Sequence, residues 1–167
     1  MTIKLKGIIW EDMVNYRKIS TTLMFPYCNF KCDIEAGTAV CQNSVLATSP
    51  LTEIDIDDFM TTYMKTFLSD AIVLQGLEPL DSIKDIYTIA NALRDWKINS
   101  DLVIYTGYKK SEVDMLTLHN IANIIPGTLI VKFGRYIPNQ TPHYDKVLGV
   151  KLSSDNQYAE VIEKNAN

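Results

Sequence analysis

Cysteine is missing from all of this 167-residue chain except one short stretch, where Cys28, Cys32 and Cys41 fall within fourteen residues. Histidine is nearly as scarce, and its two copies, His119 and His143, lie far along the chain from those thiols. No apolar run approaches the roughly 20 residues needed to cross a bilayer, which argues against a membrane partner. The opening segment has no long apolar stretch of the signal-peptide kind, so the expectation is a cytoplasmic protein. Cations are not in excess: 16 Lys and Arg stand against 20 Asp and Glu, a formal net charge of -4, which argues against a nucleic-acid partner. There are no internal repeats, low-complexity tracts or linkers rich in Pro, Gly or Ser. One domain over residues 1–167 is therefore expected, with enough apolar sequence (47%) to bury a single core.

What is present is the thiol cluster. Cytosolic cysteines stay reduced, so three in one loop read as metal ligands or redox groups before they read as disulfides. Three thiolates can hold three irons of a [4Fe–4S] cluster and leave the fourth iron open to a substrate or cosubstrate. Zinc is the alternative, and it needs a fourth ligand; Asp33 or Glu35 is near enough in sequence to serve. A four-cysteine cluster within one chain is excluded by the count.

The apolar pattern alternates between two periods. Ile19 to Phe25 reads as a strand, residues 26–50 as the cysteine loop, and Ala71 to Gln75, Leu102 to Tyr105 and Thr128 to Lys132 as further short, buried strands. Helical spacing links Ile56, Phe59, Met60, Tyr63, Met64, Phe67 and Leu68, with Asp55 as N-cap. A second helix is expected from Asp81 or Ser82 through Trp96, and a third from near Ser111 to before Pro126. A last strand is expected at Ala159 to Ile162. Strand, loop and helix repeated predict an α/β fold with a mostly parallel sheet. At this length it would be an incomplete (β/α) barrel or an open, curved sheet, since a closed barrel takes about 250 residues. Ligands in such sheets bind beyond the carboxyl ends of the strands, where the cysteine loop, Gly76-Leu-Glu-Pro79, Tyr105-Thr-Gly-Tyr108 and Gly134-Arg-Tyr136 should converge.

This ordered set resembles the radical S-adenosylmethionine superfamily, and within it the short activating proteins of anaerobic (class III) ribonucleotide reductase. The resemblance rests on a strand running into a three-cysteine loop that ends Cys41-Gln42-Asn43, on Gly76-Leu77-Glu78-Pro79-Leu80 where the family has Gly-Gly-Glu-Pro-Leu, on Tyr105 to Tyr108, and on Ser153-Ser-Asp-Asn-Gln157. It runs from about residue 7 to 160. The chain departs from it in two places. Eight residues rather than two separate Cys32 from Cys41, and Leu77 replaces a glycine that would let backbone approach a ligand closely.

The resemblance implies that Cys28, Cys32 and Cys41 hold a [4Fe–4S] cluster, with S-adenosylmethionine on its open iron. It further implies reductive cleavage to a 5′-deoxyadenosyl radical that activates a glycyl-radical enzyme, with a flavodoxin or ferredoxin as electron donor. Gly76, Leu77, Glu78 and Pro79 would meet the methionine end, and Tyr105, Thr106 and Gly107 the adenosine side. Phe30, inside the loop, is placed to shield the cluster from solvent. Two other functions stand beside this one: a non-catalytic iron–sulfur electron-transfer or sensor module, and a zinc-stabilised interaction protein. Blander roles are assigned to Arg135 (a surface side chain), to His143 (a loop hydrogen bond rather than a relay with Asp145), to the acidic group Glu53, Asp55, Asp57 and Asp58 (a solvated helix start), and to the 56–68 stripe (core).

Overall fold

The computed structural model of the protein describes residues 1–66 and 68–165. Along them run β1 (Thr2–Leu5), β2 (Gly7–Asp12), β3 (Ser20–Phe25), α1 (Lys31–Ala36), β4 (Thr52–Asp55), α2 (Ile56–Tyr63) and β5 (Ala71–Gly76). Then follow α3 (Ile83–Asp95), β6 (Asp101–Tyr105), α4 (Met115–Ile124), β7 (Leu129–Phe133), β8 (His143–Asp145), β9 (Val150–Leu152) and β10 (Tyr158–Ile162). The four runs read as buried strands become β3, β5, β6 and β7, which lie side by side in that order and all parallel. β2 joins antiparallel to β3, and β10 antiparallel to β7, giving the order β10-β7-β6-β5-β3-β2. The sheet is open and mixed rather than a closed barrel.

Strands that are neighbours in both sequence and space need crossovers of one hand, so their helices gather on one face. Alternation along each strand does the rest. Phe25, Leu74, Ile104 and Val131 point to that face and meet Met60, Ile89, Leu93 and Ile121 of the helices, all fully buried. The intervening Val73, Val103 and Ile130 point the other way and pack against Tyr16, Leu148 and Leu152. Leu152 belongs to the antiparallel ribbon β8–β9, so the ribbon covers part of this second face. The Tyr16 hydroxyl donates to Asp101 Oδ2 at 2.9 Å and fixes the covering segment at the amino end of β6.

Asp55 caps α2 as expected, its Oδ1 accepting the Asp57 and Asp58 N–H groups at 2.9 and 3.3 Å. The helix ends at Tyr63 rather than 68, where the Thr66 hydroxyl captures the Tyr63 carbonyl; Phe67, placed on the stripe by its spacing, lies outside the described residues. The third expected helix begins at Met115, four residues past Ser111, because Asp114 is its N-cap. The antiparallel pair β1–β4 was not anticipated from the pattern; it sends Ile3 and Leu5 into the helix-side core. Among the described residues no helix is long and apolar enough to cross a membrane.

Candidate functional site

Beyond the carboxyl ends of β3, β5, β6 and β7 lies a cavity of about 370 Å³. Cys28, Cys32 and Cys41 line it together with Gly76, Leu77, Glu78, Tyr105, Thr106, Gly107 and Tyr108. Pro79 is the one residue of the expected set that does not. It is buried at the first position of the 3₁₀ turn Pro79–Ser82, where its missing N–H costs nothing.

The cysteine loop is not structureless. Phe30 adopts a left-handed φ of 52°, which turns its N–H onto Cys28 Sγ at 3.2 Å and starts the short helix α1. Its structural contribution is therefore made by backbone. Burial pushes the Cys28 thiol up, against the Phe30 N–H, and Glu78, Asp81 and Cys41 add to the rise. Burial likewise carries Cys32 up to about 11, helped by Cys41 and Asp33 beside it. Three half-buried thiols line one cavity, and thiols bind iron as thiolates. The residues fit a cluster. Asp33 and Glu35 do not supply zinc with a ready fourth ligand: Asp33 Oδ1 accepts the Val40 and Cys41 N–H groups, and Glu35 faces Arg135 at 3.5 Å. Among the described residues no three His, Cys, Asp or Glu side chains gather as a site for a single ion.

The strand-end turns are laced to one another. Glu78 is 4% exposed; its Oε2 accepts the Gly107 N–H at 2.8 Å and its Oε1 the Leu80 N–H at 3.1 Å. Its role in the fold is to join two walls of the cavity. Tyr108 receives a hydrogen bond from Asn29 of the cysteine loop at 2.9 Å and donates to Asp81 at 2.6 Å. Asn43, just past the third cysteine, donates to the Gly76 carbonyl at 3.0 Å. The Tyr105 hydroxyl donates to the carbonyl of Asn15, which lines the same cavity, at 2.6 Å.

Burial raises the Glu78 carboxyl to about 7, against the N–H groups of Gly107 and Leu80 and the Thr106 hydroxyl. The sign follows from linkage. The folded pKa lies above the unfolded value of 4.5, so between the two the unfolded chain binds fewer protons and stability falls as pH rises. Glu78→Gln is expected to flatten the fall in urea midpoint between pH 4.5 and 7. A profile with the wild-type slope would mean that Glu78 titrates like an exposed carboxylate.

Two charged residues are buried beside the cavity, against what their sequence surroundings suggest. Arg135 is not a surface side chain but 4% exposed, paired with both Glu112 oxygens at 2.7 and 2.8 Å, which drives Glu112 down to about 2. Lys132 lines the cavity floor, 6% exposed, its Nζ donating to the Gly134 carbonyl at 2.7 Å. Burial lowers its pKa to about 8, while Glu78 opposes the fall. A signal for it was available: in β7 it shares parity with Ile130, on the face away from the helices. Gln157 donates to the same carbonyl and Asn156 to that of Arg135, so the Ser153–Gln157 segment folds over this turn. No His143–Asp145 pair forms; Asp145 accepts the Val147, Leu148 and Ala159 N–H groups instead.

An open α/β sheet with three half-buried thiols at its carboxyl edge defines a cluster-binding α/β protein. The family model described as the 4Fe-4S single cluster domain matches residues 16–156, and the chain belongs to that family. It is an iron–sulfur, metal-binding protein. No curated protein and no solved structure matches the chain.

Proposed function

We propose that the protein is a radical S-adenosylmethionine enzyme of the kind that activates a glycyl-radical partner such as an anaerobic ribonucleotide reductase. One observation carries the reading: the three thiols, the Gly76–Glu78 turn and the Tyr105–Tyr108 turn line a single cavity. Cys28, Cys32 and Cys41 hold the [4Fe–4S] cluster. When bound and reduced by a flavodoxin or ferredoxin, the cluster supplies one electron to cleave the sulfonium C–S bond of S-adenosylmethionine, with methionine and, after hydrogen abstraction, 5′-deoxyadenosine as products.

The chain's own work is binding and orientation. The Gly76 carbonyl keeps a second lone pair beside the one used by Asn43, available to an ammonium group. Lys132 offers the cavity a buried cation suited to the methionine carboxylate. Tyr105, Thr106 and Gly107 form the wall left for the adenosine, and Glu78 holds that wall against the Gly76 turn. Such preorganised groups bind charge without reorganising around it.

Full-length protein reconstituted anaerobically with iron and sulfide, then reduced with S-adenosylmethionine present, is expected to release 5′-deoxyadenosine. A candidate partner enzyme added to the mixture should gain an organic radical signal by electron resonance. No deoxyadenosine from a loaded, reduced cluster would sink the enzymatic reading. It would favour a cluster-only electron-transfer or sensor module, the reading to which Leu77 in the cavity wall lends weight.

A further inference from the structure

Eight residues between Cys32 and Cys41 form a long tether for two ligands of one cluster. A flexible chain of that length wanders over about 15 Å between its ends. Here it does not wander. α1 carries the chain away from Cys32, and Gly37 reverses it at a left-handed φ of 67° with no atom within 4 Å of a Cβ built there. The returning strand of the loop is then caught by one oxygen: Asp33 Oδ1 accepts both the Val40 and the Cys41 N–H groups at 2.8 Å. The same oxygen stands 3.9 Å from Cys32 Sγ. A single carboxylate thus touches the sulfur of one ligand and the backbone of the next.

We propose that Asp33 is a positioning residue that staples Cys41 beside Cys32, so that the wide cysteine spacing closes into a compact three-thiol loop, and that its negative charge next to the Cys32 sulfur holds the cluster's potential down. The staple makes up for the insertion by ordering the loop before iron arrives, and so removes from metal binding the entropy of closing it. The charge acts because an anion close to a ligand sulfur favours the more oxidised cluster. This inference rests on the cluster occupying the three cysteines and is independent of any reaction with S-adenosylmethionine.

Two variants separate the parts. Asp33→Ala removes staple and charge; Asp33→Asn keeps an amide oxygen that can accept both N–H groups and removes only the charge. Neither is expected to unfold the chain, since α1 has no buried residue. Each full-length variant is reconstituted anaerobically and challenged with a ferrous chelator, and its midpoint potential is measured by redox titration. Asp33→Ala should lose iron about tenfold faster than wild type, while Asp33→Asn stays within about twofold. The Asp33→Asn potential should move to a less negative value. Equal iron retention in wild type and Asp33→Ala overturns the staple, as does Asp33→Asn losing iron as fast as Asp33→Ala. An unmoved potential in Asp33→Asn overturns the charge effect. Wild type that takes up no iron fails the assignment of the cluster to these cysteines and with it this proposal, whereas a loaded wild type that yields no deoxyadenosine leaves the proposal standing.

Discussion

Gly76→Ala is expected to lower the unfolding free energy by about 2–5 kcal/mol, a large part of what a domain of this size has to lose. Gly76 ends β5 at a φ of 106°, and a Cβ there would stand 2.7 Å from the Phe25 nitrogen and 3.0 Å from Met24 backbone atoms. The left-handed backbone costs a non-glycine residue about 1–2 kcal/mol. Contact with main-chain atoms, which cannot rotate aside, adds about 1–3 kcal/mol as overpacking does. The clash falls on the Phe25–Gly76 pair of the β3–β5 ladder. The same place anchors the cavity, because the Leu77 and Glu78 N–H groups donate to the Phe25 and Tyr27 carbonyls at 3.2 and 2.7 Å. Iron bound per chain should therefore fall along with the urea midpoint. A loss below about 1 kcal/mol would show that β3 gives way at little cost.

Lys132→Met should move two quantities in opposite directions. S-adenosylmethionine affinity, read by calorimetry on the oxidised, cluster-loaded protein, is expected to fall at least tenfold, since a buried charged hydrogen bond to a carboxylate is worth about 1.5–3 kcal/mol. Stability of the metal-free chain should rise instead. Burial holds the Lys132 pKa down at about 8, which records the penalty of keeping an ammonium away from water. Methionine has similar bulk and no such penalty. Part of the gain is forfeited with the hydrogen bond to the Gly134 carbonyl, so an increase of roughly 1–2 kcal/mol remains. The linkage sign gives a second check. Lys132 has a folded pKa below its unfolded value of 10.5, so the unfolded chain binds more protons between about 8 and 10.5 and wild-type stability gains there as pH rises. Lys132→Met should lack that gain. Unchanged affinity would remove Lys132 from the proposed site, whatever happens to stability.

The sequence made the parallel sheet legible because its strands are short apolar runs buried on both faces, as at Ala71 to Leu74, and such runs have few other uses. The same logic collected the strand-end turns, since a parallel sheet sends all its carboxyl ends to one side. What stayed hidden was non-local or locally patternless. β1 and β4 are four residues each and make sense only as a pair formed across about fifty residues. α1 buries nothing, so it prints no apolar period on residues 31–36. Arg135 looks like any other arginine until Glu112 is brought to it from 23 positions away. Glu78 was legible as part of a strand-end turn, but its partners were not: which N–H groups a carboxylate accepts depends on where two turns meet in space.

Nothing in α1 or the turn after it is needed by the hydrophobic clusters on either face of the sheet. The interval between the second and third thiols can thus lengthen or shorten in evolution without touching the fold, provided some side chain near its start gathers the returning backbone. Ligand spacing in such a loop is a poor ruler of descent. A search for relatives keyed to a fixed number of residues between cysteines would pass over chains whose cavities are built alike.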